Sequence, residues 1–304
     1  MIDVMTADKQ MAFVGVRGTI RCDEPMSNHT SWKVGGPARY FFEPADRKDL
    51  SAFLKGLDPE VPVLWLGLGS NLLVRDGGFD GAVIAAHRGL RELRDLGEGR
   101  FAVEAGVSCA RFSRFSAKLG WSGGEFLAGV PGTMGGALAM NAGAFGSETW
   151  SLVEEVELVN RAGSFENRPA GCFAASYRQV DIPPGHWFTA GVFRLKQGTG
   201  GEDASVRSLL EKRSSTQPVR QSSAGSVFRN PPNDHAARLI ESSGLKGLRI
   251  GGAQVSMQHA NFIVNDRQAC AKDIESLIEK VQATVADHTG VHLEPEVRFV
   301  GEHH

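Results

Sequence analysis

Apolar residues recur at helical spacing over residues 46–57 (DRKDLSAFLKGL), 108–120 (SCARFSRFSAKLG), 234–244 (DHAARLIESSG) and 271–290 (AKDIESLIEKVQATVADHTG). They predict four helices, with Ser108 capping the second and Gly244 stopping the third. A further helix is expected over 206–213. Short apolar runs predict strands at 61–66 (VPVLWL), 81–86 (GAVIAA), 101–106 (FAVEAG), 188–196 (FTAGVFRLK), 260–265 (ANFIVN) and 291–300 (VHLEPEVRFV). Residues 153–166 (VEEVELVNRAGSFE) predict a hairpin turning at Ala162–Gly163, and the polar, glycine-rich 197–205 (QGTGGEDAS) is the best linker candidate. Strand and helix runs mix without regular alternation. The pattern therefore predicts an α+β fold over a doubly wound parallel sheet.

Composition narrows the function classes. A chain of 304 residues has room for two or three domains. Its formal net charge of -2 carries no polyelectrolyte signal, so nucleic acid is not an expected partner. Glycine is the outlier at 37 residues, clustered in loops without a fixed period, which sets collagen and solenoid readings aside. Cys22, Cys109, Cys172 and Cys270 lie far apart with no C-x-x-C, and MIDVMTADKQ at the start holds no apolar export core. Reduced thiols in a cytoplasm are the plain expectation. The histidines show no metal-ligand spacing, so no metal is expected, and His303–His304 carry nothing for function.

The stretch LAGVPGTMGGALAMNAGAFG, residues 127–146, has no charge, six glycines and five alanines. A membrane span would need about 20 predominantly apolar residues in one continuous helix. Pro131 and Gly135–Gly136 interrupt it, and Asn141 is polar. Pro131 is well placed to open a helix, with Gly132 and Thr133 presenting N–H groups near its start. Gly135 and Gly136 each cost a helix roughly 1 kcal/mol relative to alanine. Either a ligand approaches closely there, or the helix packs tightly on a sheet. The loop GLGSN at 67–71 poses a similar choice, between a tight turn and a nest of N–H groups for a pyrophosphate. Neither loop has the G-x-G-x-x-G fingerprint, which suggests a dinucleotide held outside a Rossmann unit.

Seven segments in order carry a resemblance: HTSWKVGGPA (29–38), GLGSNLLVRDGGFDG (67–81), GVPGTMGGALAMNAGAFG (129–146), SYR (176–178), AGSVFRNP (224–231), HANFIVN (259–265) and LEPEV (293–297). Together, over about residues 27–301, they resemble the UDP-N-acetylenolpyruvoylglucosamine reductase (MurB) family, with an FAD-binding fold of the vanillyl-alcohol-oxidase type. The resemblance implies FAD and NADPH as cofactors, a cytoplasmic location in peptidoglycan precursor synthesis, and no membrane insertion. It also implies a monomer or weak homo-oligomer. It divides the chain into FAD-binding subdomains at 1–87 and 88–200 and a substrate-binding domain at 201–304, whose last strand carries a catalytic glutamate. The short segment between Arg178 and Ser226 has no place for a substrate-covering tyrosine loop, as in the shorter, type II form. Val180 departs from the family's usual serine, which bears on the packing of the motif.

By motif position the resemblance implies FAD contacts at Gly67, Leu68, Gly69, Ser70, Asn71, Leu72, Gly129, Val130, Pro131, Gly132, Thr133, Gly135, Gly136, Asn141, Gly143 and Gly146. The implied substrate, UDP-N-acetylglucosamine enolpyruvate, is a vinyl ether bearing a carboxylate. Its reduction needs cationic or donor groups around that carboxylate and then a proton at the adjacent carbon. Arg178 suits the first task as a permanent planar cation, although an arginine beside a tyrosine is commonly a surface residue. Ser226 matches the proton donor, although a Gly–Ser pair alone is more often a turn. Glu296 would stabilise the intermediate or aid proton delivery from the last strand, unless it is an exposed strand glutamate. Asn230 and Arg229 are expected to bind substrate, Arg229 at the diphosphate. Tyr177, Gln217 and His259 are weaker substrate candidates, and His259 reads equally as a structural histidine. A different FAD oxidoreductase on the same scaffold and a non-catalytic nucleotide-sugar-binding protein are the competing readings. Retention of Arg178, Ser226 and Glu296 together favours the reductase.

Overall fold

Asp46 starts the first long helix by accepting a hydrogen bond from Asp49 N at 2.9 Å, and Arg47–Gly56 follows. Ser108 does the same for Cys109–Lys118, its side chain accepting from Arg111 N. Each such cap satisfies a backbone donor that the helix itself leaves open, worth about 1 kcal/mol. The computed structural model describes residues 13–303. The opening MIDVMTADKQ and His304 lie outside the described residues.

The chain divides into two units. The first comprises residues up to Asp23, Tyr40–Leu68 and Gly81–Glu211. Its main element is a five-stranded antiparallel sheet in the order Phe165–Pro169, Val153–Asn160, His186–Arg194, Arg100–Glu104, Leu93–Gly97. The hairpin expected at 153–166 is present, with Gly163 at φ +74° in its turn. One face is packed by Cys109–Lys118 and by the short helix Met134–Met140, over a core of Phe101, Val103, Phe112, Met134, Leu138, Leu158 and Phe193. A second core gathers Phe42, Leu50, Phe53 and Ile84, where Val63–Leu66 runs parallel to Phe79–Ala85. The helix expected at 206–213 is longer, Glu202–Thr216. Only 198–201 of the expected linker is irregular, because Glu202 already opens that helix and is buried.

The second unit is assembled from Glu24–Arg39, Gly69–Asp80 and Lys212–His304. Its sheet runs Ser222–Ser223, Ile263–Asn265, Ala253–Val255, Arg249–Ile250. The amphipathic Ala271–Thr289 helix lays Ile274, Leu277, Ile278, Val281 and Val285 into a core with Trp32, Leu73, Val227 and Phe228. Asp76 anchors the start of that helix, its carboxylate accepting from Ala271 N and Lys272 N at 2.9 Å. Gly290, at φ +72°, ends it. A parallel pair joins Leu72–Val74 to Arg298–Val300.

The last strand is shorter than expected. Only Arg298–Val300 pairs as strand, so Glu296 sits in the irregular stretch before it, next to Pro295. The main chain at 295–297 is paired instead with Val227 and Phe228, so the parallel strand starts only after it.

Candidate active site

Within the first unit, the uncharged 127–146 stretch runs from the end of the 3-10 turn Glu125–Gly129 through the helix Met134–Met140 to Gly143–Ala144, which pairs with Ser147–Glu148 in a tight hairpin. Thr133, not Pro131, caps the helix, with its hydroxyl 3.5 Å from Gly136 N. Pro131 lies two residues upstream of the cap. Gly67 abuts the same threonine, since a Cβ there would come within 2.7 Å of Thr133 Oγ1.

The two helix glycines separate in role. A Cβ on Gly135 would lie 2.7 Å from Ala105 Cβ and 3.1 Å from the Ala105 carbonyl, which already accepts from Gly135 N at 2.8 Å. Close packing on Ala105 therefore accounts for Gly135, the second of the two alternatives open for this pair. Gly136 is exposed and faces open space, with Thr133 Oγ1 3.9 Å away as the nearest atom. Gly146, at φ +84°, is likewise open. A Cβ on Gly129 would lie 2.5 Å from the exposed Phe145 ring, which would have to shift. Leu68 is exposed, and Val130 is buried.

Arg178 occupies the second position of the two-residue turn Tyr177–Arg178, between Ser176 and Gln179. Its φ of +58° is the left-handed region, which costs a non-glycine residue about 1–2 kcal/mol. The guanidinium donates to the Gly143 carbonyl at 3.1 Å and the Asn141 carbonyl at 3.5 Å, and lies 5.0 Å from the Tyr177 ring centre. Val180, the departure noted in this motif, is buried in the unit's core. Asn141 is itself buried, and its amide is committed to Glu148, Ser176 and Trp150.

In the second unit the Ser226 and Glu296 stretches are paired through the main chain. Val227 O accepts from Glu296 N at 2.7 Å, and Phe228 bridges Pro295. Both Ser226 and Glu296 are half-buried. The 69–71 loop holds each side of this pair: Ser70 O accepts from Gly225 N at 3.0 Å, and Asn71 Nδ2 donates to Glu296 O at 3.1 Å. Gly69, at φ +64°, approaches His29 so closely that a Cβ would fall 2.2 Å from the His29 carbonyl. Leu72 begins a buried strand. The loop is a tight turn whose carbonyls and Asn71 side chain hold these stretches in place. Sequence reasoning missed Asn261, which accepts from Phe228 N at 3.0 Å and donates to Phe228 O at 2.8 Å. A buried asparagine between two apolar runs is the signal that could have found it.

The remaining candidates fall in this unit. Arg229 N donates to Glu294 O, while its Nε is buried with no hydrogen-bond partner. Asn230 accepts from Ala236 N at 3.1 Å, serving the start of the Ala236–Ser242 helix. Gln217 accepts from Arg213 Nε at 3.3 Å, and burial pushes the Arg213 pKa down. His259 accepts at Nδ1 from Asn261 N and packs edge-on to Phe262. Burial, with nearby Lys246 second, lowers its pKa and favours the neutral ring.

Among the described residues no cluster of three His, Cys, Asp or Glu could hold a metal, and no helix is long and apolar enough to cross a membrane.

Residues 38–167 match the family model described as an FAD binding domain, and residues 217–300 match the C-terminal domain of UDP-N-acetylenolpyruvoylglucosamine reductase. The enzyme of that name from Methylococcus capsulatus is 55% identical over 287 residues, 94% of each chain. The one from Alkalilimnicola ehrlichii is 54% identical, covering 94% of this chain and 96% of the relative. The crystal structure of UDP-N-acetylenolpyruvylglucosamine reductase from Thermus caldophilus superposes with a TM-score of 0.78 at 34% identity, over 93% of this chain and 98% of that one. An Arthrobacter nicotinovorans 6-hydroxy-D-nicotine oxidase shares the fold alone, with a TM-score of 0.54 at 11% identity, over 92% of this chain and 88% of that one. The chain belongs to the UDP-N-acetylenolpyruvoylglucosamine reductase family.

Proposed function

We propose that this protein reduces UDP-N-acetyl-3-O-(1-carboxyvinyl)-glucosamine to UDP-N-acetylmuramate, using FAD and NADPH, in the synthesis of peptidoglycan precursors. The redox chemistry is what FAD supplies when bound. The first unit suits that cofactor: an uncharged stretch, with exposed Gly136 and Gly146 and open space over them. Gly132, Thr133, Gly136 and Gly143 are the residues that would lie along it.

Arg178 holds the substrate carboxylate, where its planar fork matches two oxygens and stabilises the charge that develops on them. Ser226 gives the proton to the carbon beside that carboxylate. Glu296 stabilises the same charge or supplies the proton that Ser226 passes on. A serine hydroxyl is a weak acid, so its placement must be exact in direction to be useful. Arg229, a cation with an orphaned buried Nε, suits the diphosphate, with Asn230, Tyr177, Gln217 and His259 at the edges of the substrate.

The observation that carries this reading is the main-chain pairing of the two catalytic stretches, in which Val227 O receives Glu296 N. It supports a serine and a carboxylate acting as one group. The assignment includes the subdomain division at 1–87, 88–200 and 201–304, the shorter type II form, a cytoplasmic location, and a monomer or weak homo-oligomer. Mixing the purified holoprotein with NADPH and the enolpyruvyl nucleotide sugar tests it directly. A product heavier by two hydrogens is expected by mass. Flavin reduction by NADPH without that product would point to another oxidoreductase on this scaffold, and binding without any turnover to a nucleotide-sugar-binding protein.

A further inference from the structure

We infer that Asn141 is a positioning residue for Arg178, its side-chain amide fixing the two turns that aim the guanidinium. The inference rests on the reading of Arg178 as the carboxylate clamp.

Both Nδ2 protons and one of the two Oδ1 lone pairs of Asn141 are used inside the protein. Nδ2 donates to Glu148 Oε2 at 2.9 Å and to the Ser176 carbonyl at 3.0 Å, and Oδ1 accepts from Trp150 N at 3.0 Å. The residue is 2% exposed. With both donors spent and the residue buried, the amide offers a ligand no donor and no access. Its partners say what it does. Ser176 is the root of the Tyr177–Arg178 turn, so the Nδ2 bond pins the arm on which Arg178 stands. Glu148 belongs to the Gly143–Glu148 hairpin, and Gly143 is where the guanidinium is received at 3.1 Å.

The main chain of Asn141 completes the arrangement. It ends the Met134–Met140 helix at φ +45°, and this left-handed turn points its carbonyl at Arg178 Nη1, 3.5 Å away. One residue thus ties down the base of the arginine arm and contributes an acceptor for its tip. Glycine is the usual residue for a left-handed helix end, and an asparagine adds only the amide. The backbone requirement and the amide requirement can therefore be separated by substitution.

Asn141→Gly keeps the left-handed turn without strain and deletes the amide. The experiment follows the holoenzyme through flavin content, thermal melting, calorimetric affinity for the enolpyruvyl nucleotide sugar, and stopped-flow rates for the two half-reactions. Expected are near-normal flavin content and NADPH-dependent reduction, weaker nucleotide-sugar affinity, and a substrate-dependent reoxidation slowed by about 10–100-fold, as for a reacting group displaced by about 1 Å. On an Arg178→Ala background the same change should slow reoxidation by no more than about threefold, because residues acting as a unit are not additive. Asn141→Asp tolerates the same backbone but turns an acceptor toward Glu148 and the Ser176 carbonyl. Its defect relative to wild type should be greatest at high pH and shrink as the carboxyl is protonated in acid.

Normal reoxidation in Asn141→Gly overturns the inference, as does equal slowing with and without Arg178. Loss of flavin from both variants also overturns it, because Asn141 then serves the cofactor or the fold. If Arg178→Ala alone leaves reoxidation intact, the clamp reading falls and takes the inference with it.

Discussion

Asn71 Nδ2 donates to the main-chain carbonyl of Glu296 at 3.1 Å, and the Asn71 carbonyl in turn accepts from Arg298 N at 3.1 Å. An asparagine in a glycine loop thereby fixes the backbone on both sides of Val297, across more than two hundred residues of sequence. Asn71→Ala removes the Nδ2 bond to the Glu296 carbonyl, with an expected stability loss of about 1 kcal/mol. Asn71→Asp should cost more, since its carboxylate would face the Glu296 carbonyl. Thermal melting ranks the three proteins. Stopped-flow measurements should show slower substrate-dependent reoxidation in both variants, and a rate unchanged in both would separate Asn71 from the chemistry.

The caps that start and stop helices were legible, because Ser108 and Gly244 act on residues a few positions away. The hairpin at 153–166 was legible for the same reason, its turn being local. The placement of Glu296 was not: Pro295 interrupts the alternation, and the partner that sets Glu296 in place is Val227, far off in sequence. Gly135 and Gly136 are indistinguishable as letters, and only the position of Ala105 tells them apart. The left-handed backbone of Arg178 had no signal at all, since an arginine there resembles any surface arginine.

Those two glycines make opposed predictions. Gly136→Ala adds a methyl group into open space and should stabilise the helix by up to about 1 kcal/mol in the apoprotein, while lowering FAD occupancy. Gly135→Val forces atoms against Ala105 and should destabilise by about 1–3 kcal/mol, with flavin lost only as the fold is lost. Flavin absorbance and melting temperature of each variant decide the matter. The wild-type protein should be yellow, releasing intact FAD on denaturation.

The half-reactions offer a second separation. Ser226→Ala should leave NADPH-dependent reduction near normal and slow substrate-dependent reoxidation by roughly 10²–10⁴-fold, the range for a lost general acid. Equal slowing of both halves would assign Ser226 to cofactor placement. With neither half slowed, the proton has another source, and Glu296→Gln becomes the next variant to measure.

Glu104 sets a pH dependence on the face of the five-stranded sheet. Burial is the largest cause that raises its pKa, and neighbouring Glu92 and Glu157 add to it, against a lowering hydrogen bond from Glu92 N. A carboxyl whose folded pKa is raised binds its proton more tightly in the folded state. Stability is therefore fully present below the unfolded pKa and falls as pH rises through the folded one. Glu104→Gln, which can still accept from Glu92 N, should melt above wild type at neutral pH. The gap should close in acid. A constant gap from acid to neutral pH would mean that Glu104 does not titrate as its surroundings require.

The order in which the second unit's pieces occur along the chain has a consequence for biosynthesis. Leu72–Val74 leaves the ribosome early, but its parallel partner Arg298–Val300 is made more than two hundred residues later. At a synthesis rate of about 5–20 residues per second, the first strand waits roughly 10–45 s for its mate. The intervening Gly81–Glu211 block brings its own sheet and core and can fold during that interval. The 24–39 and 69–80 segments cannot, because Trp32 and Leu73 bury themselves against residues beyond 220. A nascent chain arrested before Arg298 should therefore resist protease over the first unit's residues and be cut within 24–39 and 69–80. Completion of the chain, more than its initiation, is the event that turns a half-folded intermediate into an enzyme.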